Sequence, residues 1–189
     1  MRLHIAKTEL FIGYEAAAAL TAVLLLDREN RFICCILAAL LHELGHILMM
    51  VFCRVRVRSL KIRLFDILIE ADEARCVRDD VLITSGGVMM NFLFAAILCP
   101  FSMKLGLSHL ALGVFNLLPV MSLDGGRLLC LLLSRRCSQR AVMIVLRVTT
   151  FVFILPLMTA GLYILFNSGY NYTLLIVSLY LTAVLLLKK

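Results

Sequence analysis

Apolar residues run along this chain in blocks too long and too uniform for the buried face of a soluble domain. Six of them read as membrane segments: Leu10–Leu26, Phe32–Cys53, Val81–Met103, Gly106–Leu133, Ala141–Phe166 and Tyr170–Leu187. Each approaches or exceeds the ~18 apolar residues that cross a bilayer as a helix. Two are interrupted. Glu15 weakens the first, and the fourth contains NLLPVMSLDGGR, where Pro119 and the Gly125–Gly126 pair are expected to unwind the helix around Asp124.

Between the second and third blocks the pattern changes. RVRVRSLKIRLFDILIE, starting at Arg54, alternates charged and apolar residues with a period of two, which suits strands. Val55 and Val57 hold odd positions while Leu60, Ile62 and Leu64 hold even ones, so a turn or bulge is expected near Arg58–Ser59. A solvated loop with one interfacial strand is the alternative. The fold class is an α-helical polytopic membrane protein of about six transmembrane helices, with a small cytoplasmic-side β-hairpin or sheet between the second and third. No repeat or flexible linker divides the chain, and residues 1–189 read as a single membrane-embedded domain.

Composition agrees with this reading: 62% of the 189 residues are hydrophobic and the mean hydropathy is +1.00. The net charge of +7 could suit nucleic acid, but the basic residues gather between the apolar blocks. With the N-terminus inside, 14 basic loop residues face the cytoplasm and only Arg28, Arg31 and Lys104 face outward. That imbalance predicts a multi-pass protein of the cell membrane with both termini cytoplasmic, a lipid bilayer as its surroundings and no nucleic-acid partner. The seven cysteines lie mostly in apolar segments without a CxxC spacing, so they read as small buried hydrophobes, not disulfides or thiolate ligands. No small-residue cleavage site follows the first block, which is expected to be retained.

Polar chemistry at membrane depth then stands out. Leu41–His46 reads LHELGH inside an apolar run. A charged residue at mid-helix costs about 3 kcal/mol by insertion scales, so such residues mark hydrated, functional interiors. His42 and His46, four apart, share one helix face with Glu43 adjacent, a spacing that binds one zinc ion and leaves a glutamate for water. Packing of the two histidines against a neighbouring helix is the bland alternative, and it does not call for Glu43. A catalytic zinc normally has three protein ligands. His4 and His109 lie near segment ends and read as interfacial histidines, and Glu15 is a further candidate. Asp124, in its broken helix, is the better one, against a hinge role or a salt bridge to Arg127.

HELGH in one membrane helix, followed by N-x-x-P-x-x-x-L-D-G-G from Asn116 to Gly126 in a later one, resembles the site-2 protease family of intramembrane zinc metalloproteases. The layout resembles the bacterial branch typified by stage IV sporulation protein FB. The resemblance implies that His42, His46 and Asp124 bind one catalytic Zn2+, that Glu43 is the catalytic glutamate, and that Asn116 lies near the active site. The family's G-P-x-x-N element stands here as Gly87-Val88-Met89-Met90-Asn91, with valine in place of proline. Gly87 and Asn91 are therefore candidate supports for the site, with helix packing by Gly86–Gly87 as the alternative. Gly45 is small enough to admit another backbone. A second departure is Ser122, where the family often has proline. The chain ends at Lys189, and a nucleotide-sensing domain found in sporulation relatives is expected to be absent.

The implied activity is hydrolysis of a peptide bond in or near the transmembrane segment of a membrane-associated substrate. A pro-sigma or anti-sigma factor in signalling or sporulation would be such a substrate, with inhibitory membrane proteins as further partners. His46 precedes Cys53 by 7 residues, or about 10 Å of helix, so the site is expected near the cytoplasmic side beside the β element. A free strand edge there could pair with an unwound substrate. The competing class is a non-proteolytic metal transporter or an inactive, client-binding relative.

Overall fold

The computed structural model describes residues 2–5, 8–12, 31–62, 67–72, 76–168, 178, 179 and 182. Strands β1 (Arg2–Ile5) and β2 (Thr8–Ile12) precede helix α1 (Arg31–Phe52). Strands β3 (Val57–Ile62) and β4 (Ile67–Ala71) follow, then helices α2 (Val77–Leu98), α3 (Met103–Asn116), α4 (Asp124–Leu133) and α5 (Gln139–Ser168). The chain divides into two compact units, Met1–Val114 and Phe115–Lys189. Three described helices are long and apolar enough to cross a membrane: Ile33–Phe52, Val77–Leu98 and Gln139–Asn167.

In the first unit the strands form one sheet in the order β1-β2-β3-β4, antiparallel except for the parallel β2–β3 pair. The β3–β4 ladder shifts register between Val57 and Ser59, where the apolar parity of the sequence also changes. The start of the first expected membrane block is corrected here. Leu10–Ile12 are strand residues paired with Leu60–Ile62. Hydropathy alone does not weigh the hydrogen bonds that the open side of β3 offers to a neighbouring strand. The rest of that block, with Glu15, and nearly all of Tyr170–Leu187 lie outside the described residues.

A tight cap joins helix to sheet. Arg54 takes a left-handed φ of 57°, its N–H bonds the Val51 carbonyl at 3.1 Å, and the Val55 N–H bonds that of Met50 at 2.8 Å. This is the Schellman pattern, closed by packing of Val55 on Met50 within a core that also holds Ile83, Ile69 and Ala71. Arginine is an unfavourable residue for that φ, by about 1–2 kcal/mol. Arg54→Gly should therefore raise stability by up to about 1 kcal/mol after glycine's own chain entropy is subtracted. Unfolding of the two proteins in the same detergent measures it, and an unchanged or lower midpoint would count against the cap.

The helix α2 starts four residues before the expected block. Asp79 and Asp80, which sequence alone leaves in the polar insert, fill its first turn, where carboxylates complement the helix dipole. It packs on α1 at Gly45 and Gly86: a Cβ on Gly86 would lie 2.6 Å from the Gly45 carbonyl oxygen, and one on Gly45 would meet the Gly86 carbonyl. Small residues at such a crossing let two apolar helices bring their backbones into contact.

The fourth expected block is two helices and a break. The helices α3 and α4 have 14 and 10 residues, and residues 117–123 around Pro119 are not helical. Gly125 and Gly126 do not unwind anything, which corrects the sequence expectation. They are buried in the first turn of α4, where a Cβ would strike the carbonyls of Leu117 and Val120. Glycine here lets the broken segment fold closely over the helix start. Val120 and Ile154 form the local core, and the Met121 N–H donates to Thr150 Oγ1 of α5 at 3.0 Å. Thr150 in turn donates to the Leu146 carbonyl and is 1% exposed. Thr150→Val keeps the shape but strands the Met121 N–H, for a loss of about 1–3 kcal/mol, whereas Thr150→Ser should restore most of it. Equal unfolding midpoints for Thr150→Val and the parent would overturn this anchor.

Candidate metal centre

The helix α1 places His42 and His46 one turn apart on a buried face, 5% and 9% exposed. Their rings meet edge to face, and their Nε2 atoms are 3.2 Å apart. An ion that holds nitrogen ligands at about 2.0–2.1 Å in tetrahedral geometry sets them about 3.3 Å from each other. The spacing of the two Nε2 atoms therefore suits one tetrahedral ion. His46 is fixed from behind, its Nδ1–H donating to the Ile83 carbonyl at 2.8 Å. That bond puts the lone pair of His46 on Nε2, the arrangement expected of a histidine ligand.

The facing helix α2 leaves room for the two rings. A Cβ on Gly87 would come within 2.5 Å of His46 Nε2 and 2.6 Å of His42 Cε1. One turn further on, Asn91 is fully buried, and its Nδ2 lies 3.0 Å from His42 Nδ1. Asn91 Oδ1 lies 3.0 Å from Nδ1 of His109, on α3. Glu43 is half-buried on α1 beside His42.

Of the residues singled out by sequence, His42, His46, Gly87 and Asn91 stand together, and Gly45 lies at the helix crossing next to them. Asn116 is the last residue of α3, and Asp124 is the first of α4, directly after the break. His4 is a strand residue in register with Glu9, and Glu15 is outside the described residues. The reading of His109 as an interfacial histidine is wrong. It is 0% exposed and stacked on Phe94, with ring centroids 5.4 Å apart. Gly106, His109 and Gly113 share one buried stripe of α3 at spacings of three and four. That Gly-x-x-His-x-x-x-Gly pattern was the available signal of a histidine turned inward.

Comparison with known proteins adds two likenesses. The model of peptidase family M50 matches residues 98–156, which include Asp124 but not the HELGH stretch. No curated protein matches the sequence. Among solved structures the chain is similar to the site-2 protease from Methanocaldococcus jannaschii. The TM-score is 0.69 at 22% identity, over 96% of this chain and 91% of that one. The fold is that of a site-2 protease, and with the family match it supports the site-2 protease family as the chain's relatives. Neither finding reaches as far as the sporulation branch.

Proposed function

We propose, from this kinship, that the chain is an intramembrane zinc metalloprotease that cleaves a peptide bond in or near the membrane segment of another protein. The observation that carries the reading is the buried His42–His46 pair, spaced for one tetrahedral ion and set by the Ile83 carbonyl. Asp124 is the third ligand. It opens a helix after a break, in the motif whose backbone is held by Gly125, Gly126 and Thr150. When bound, zinc polarises the scissile carbonyl and makes water a stronger acid. Glu43 takes the proton from the attacking water and returns it to the departing amine nitrogen. Asn116, near the broken segment, helps to orient the substrate.

A helical substrate hides its amides and has to be presented extended. Strand β4 stands at the end of the sheet order, and its Ile69 and Ala71 pack on the cluster that contains Ile83. The same residue 83 thus supports both the strand and the His46 ring. An unwound segment added along β4 is held by main-chain hydrogen bonds beside the histidines. The substrate is a single-span or membrane-associated protein, of which a pro-sigma or anti-sigma factor is one kind. Both termini of the protease are cytoplasmic.

The test is metal content. Full-length protein purified in detergent should hold one equivalent of zinc, and His42→Ala and Asp124→Asn should each lose it on dialysis against a mild chelator. Zinc retained by both variants would exclude this centre.

A further inference from the structure

We propose that Asn91 and His109 are positioning residues that set the tautomer and orientation of His42 for metal binding. This rests on the reading of His42 and His46 as metal ligands. Four hydrogen bonds run through the site in one direction. His109 Nδ1–H donates to Asn91 Oδ1, and Asn91 Nδ2–H donates to His42 Nδ1, each at 3.0 Å. His42 Nε2–H donates to His46 Nε2 at 3.2 Å, and His46 Nδ1–H donates to the Ile83 carbonyl at 2.8 Å. Each imidazole carries one proton, so the four bonds are mutually consistent.

A metal on the two Nε2 atoms breaks the third link. His42 then carries its proton on Nδ1, where it faces the amide NH2 of Asn91, and two donors cannot bond each other. The conflict is resolved by rotating the Asn91 amide half a turn, because its oxygen and nitrogen are nearly the same size. Oδ1 then accepts from His42 Nδ1–H, and Nδ2–H donates to Nδ1 of His109. For His109 to accept there, its proton moves to Nε2. The direction of the outer two bonds therefore reverses when the metal arrives, and His109 is the group that makes both directions possible. A neutral imidazole can do this because its tautomers differ little in energy.

The surroundings support such a relay. Asn91 and His109 are both 0% exposed, so water does not compete for their bonds, and a buried amide without partners would be costly. Phe94 stacks on the His109 ring at an interplanar angle of 20°, and Gly113 brings α3 up to the Asn91 side chain. His109 Nε2, where the displaced proton arrives, is buried and has no partner among the described residues, so this step carries a cost that the bonds of Asn91 to both rings and the metal bound at His42 have to outweigh. The chain has only four histidines, which makes their ring nitrogens individually observable.

Histidine-labelled, full-length protein in detergent micelles, with 15N–1H long-range correlations recorded before and after zinc, tests this directly. His109 should carry its proton on Nδ1 without zinc and on Nε2 with it, a change that a purely structural histidine would not show. Chelator competition should find zinc binding about 10–100-fold weaker in Asn91→Leu and His109→Leu. In His109→Asn, whose amide places an acceptor near the position of Nδ1, affinity should stay within a few-fold of the parent. An unchanged His109 tautomer overturns the proposal, as does parental zinc affinity in His109→Leu. Where the leucine variants do not fold, the tautomer measurement on the parent chain decides. Loss of zinc in His42→Ala with no tautomer change removes only the relay. Zinc retained at parental affinity in His42→Ala removes the metal centre and the relay together.

Discussion

Glu43→Gln should abolish cleavage of a co-expressed single-span substrate while zinc stays bound. Glutamine matches glutamate in size and leaves His42, His46 and Asp124 untouched, so the metal content should remain at the parental level. What is lost, on the proposed mechanism, is the group that accepts and returns a proton, and positioned acid–base groups contribute about 10²–10⁴-fold to rate. The physical case for Glu43 is its location. It is half-buried in a helix apolar enough to cross a membrane, where a carboxylate costs about 3 kcal/mol. A residue kept there against that cost is expected to act on something. Cleavage continuing at the parental rate would sink the protease mechanism. If zinc uptake into vesicles changed instead, the chain would be a transporter.

Gly87→Ala should damage the site almost as severely, although it adds one methyl group and touches no ligand chemically. The added Cβ would sit 2.5 Å from His46 Nε2 and 2.6 Å from His42 Cε1, well inside van der Waals contact. The helix backbone behind Gly87 is held against α1 at Gly45 and Gly86, so the imidazoles have to give way. Misplacement of reacting groups by about 1 Å costs on the order of 10²-fold in rate. Zinc affinity should fall in parallel, measured by chelator competition. Alanine is also the better helix former by about 1 kcal/mol, so global stability is not expected to drop with activity. Gly113→Ala is the milder comparison. Its Cβ would meet the Asn91 Cβ at 3.2 Å, a contact that a small shift relieves. Equal activity in Gly87→Ala and the parent would show that the histidines do not need the space this glycine leaves.

The two glycine pairs show how far pattern reading carries. Gly125–Gly126 and Pro119 marked a break in an apolar block, and a break is there. The glycines, however, lie within the helix that follows it, because their small size serves contact with the carbonyls of Leu117 and Val120, not backbone freedom. At Gly86–Gly87 the expected alternatives were helix packing and site support, and the structure divides them between the two residues. Gly86 meets Gly45, and Gly87 faces the imidazoles. Leu10–Ile12 misled for a related reason. Three apolar residues fit a membrane block as well as a strand, and only the presence of β3 beside them decides the matter.

What primary structure settles about this protein is whatever depends on local spacing. His42 and His46 share a helix face because of the 3.6-residue turn, and the strand parity shifts near Ser59 because side chains alternate. The apolar blocks at Phe32–Cys53, Val81–Met103 and Ala141–Phe166 each hold a long helix, which in the second block stops at Leu98 before Pro100 and in the third runs through Pro156. What tertiary structure alone decides is every relation across a large gap in sequence. His46 meets the carbonyl of residue 83, Asn91 reaches back to His42, and His109 comes inward to Asn91. Those bonds join residues 18 to 49 positions apart. No period in the sequence encodes them, because they arise only once α1, α2 and α3 have packed and a buried polar group must find its partner there.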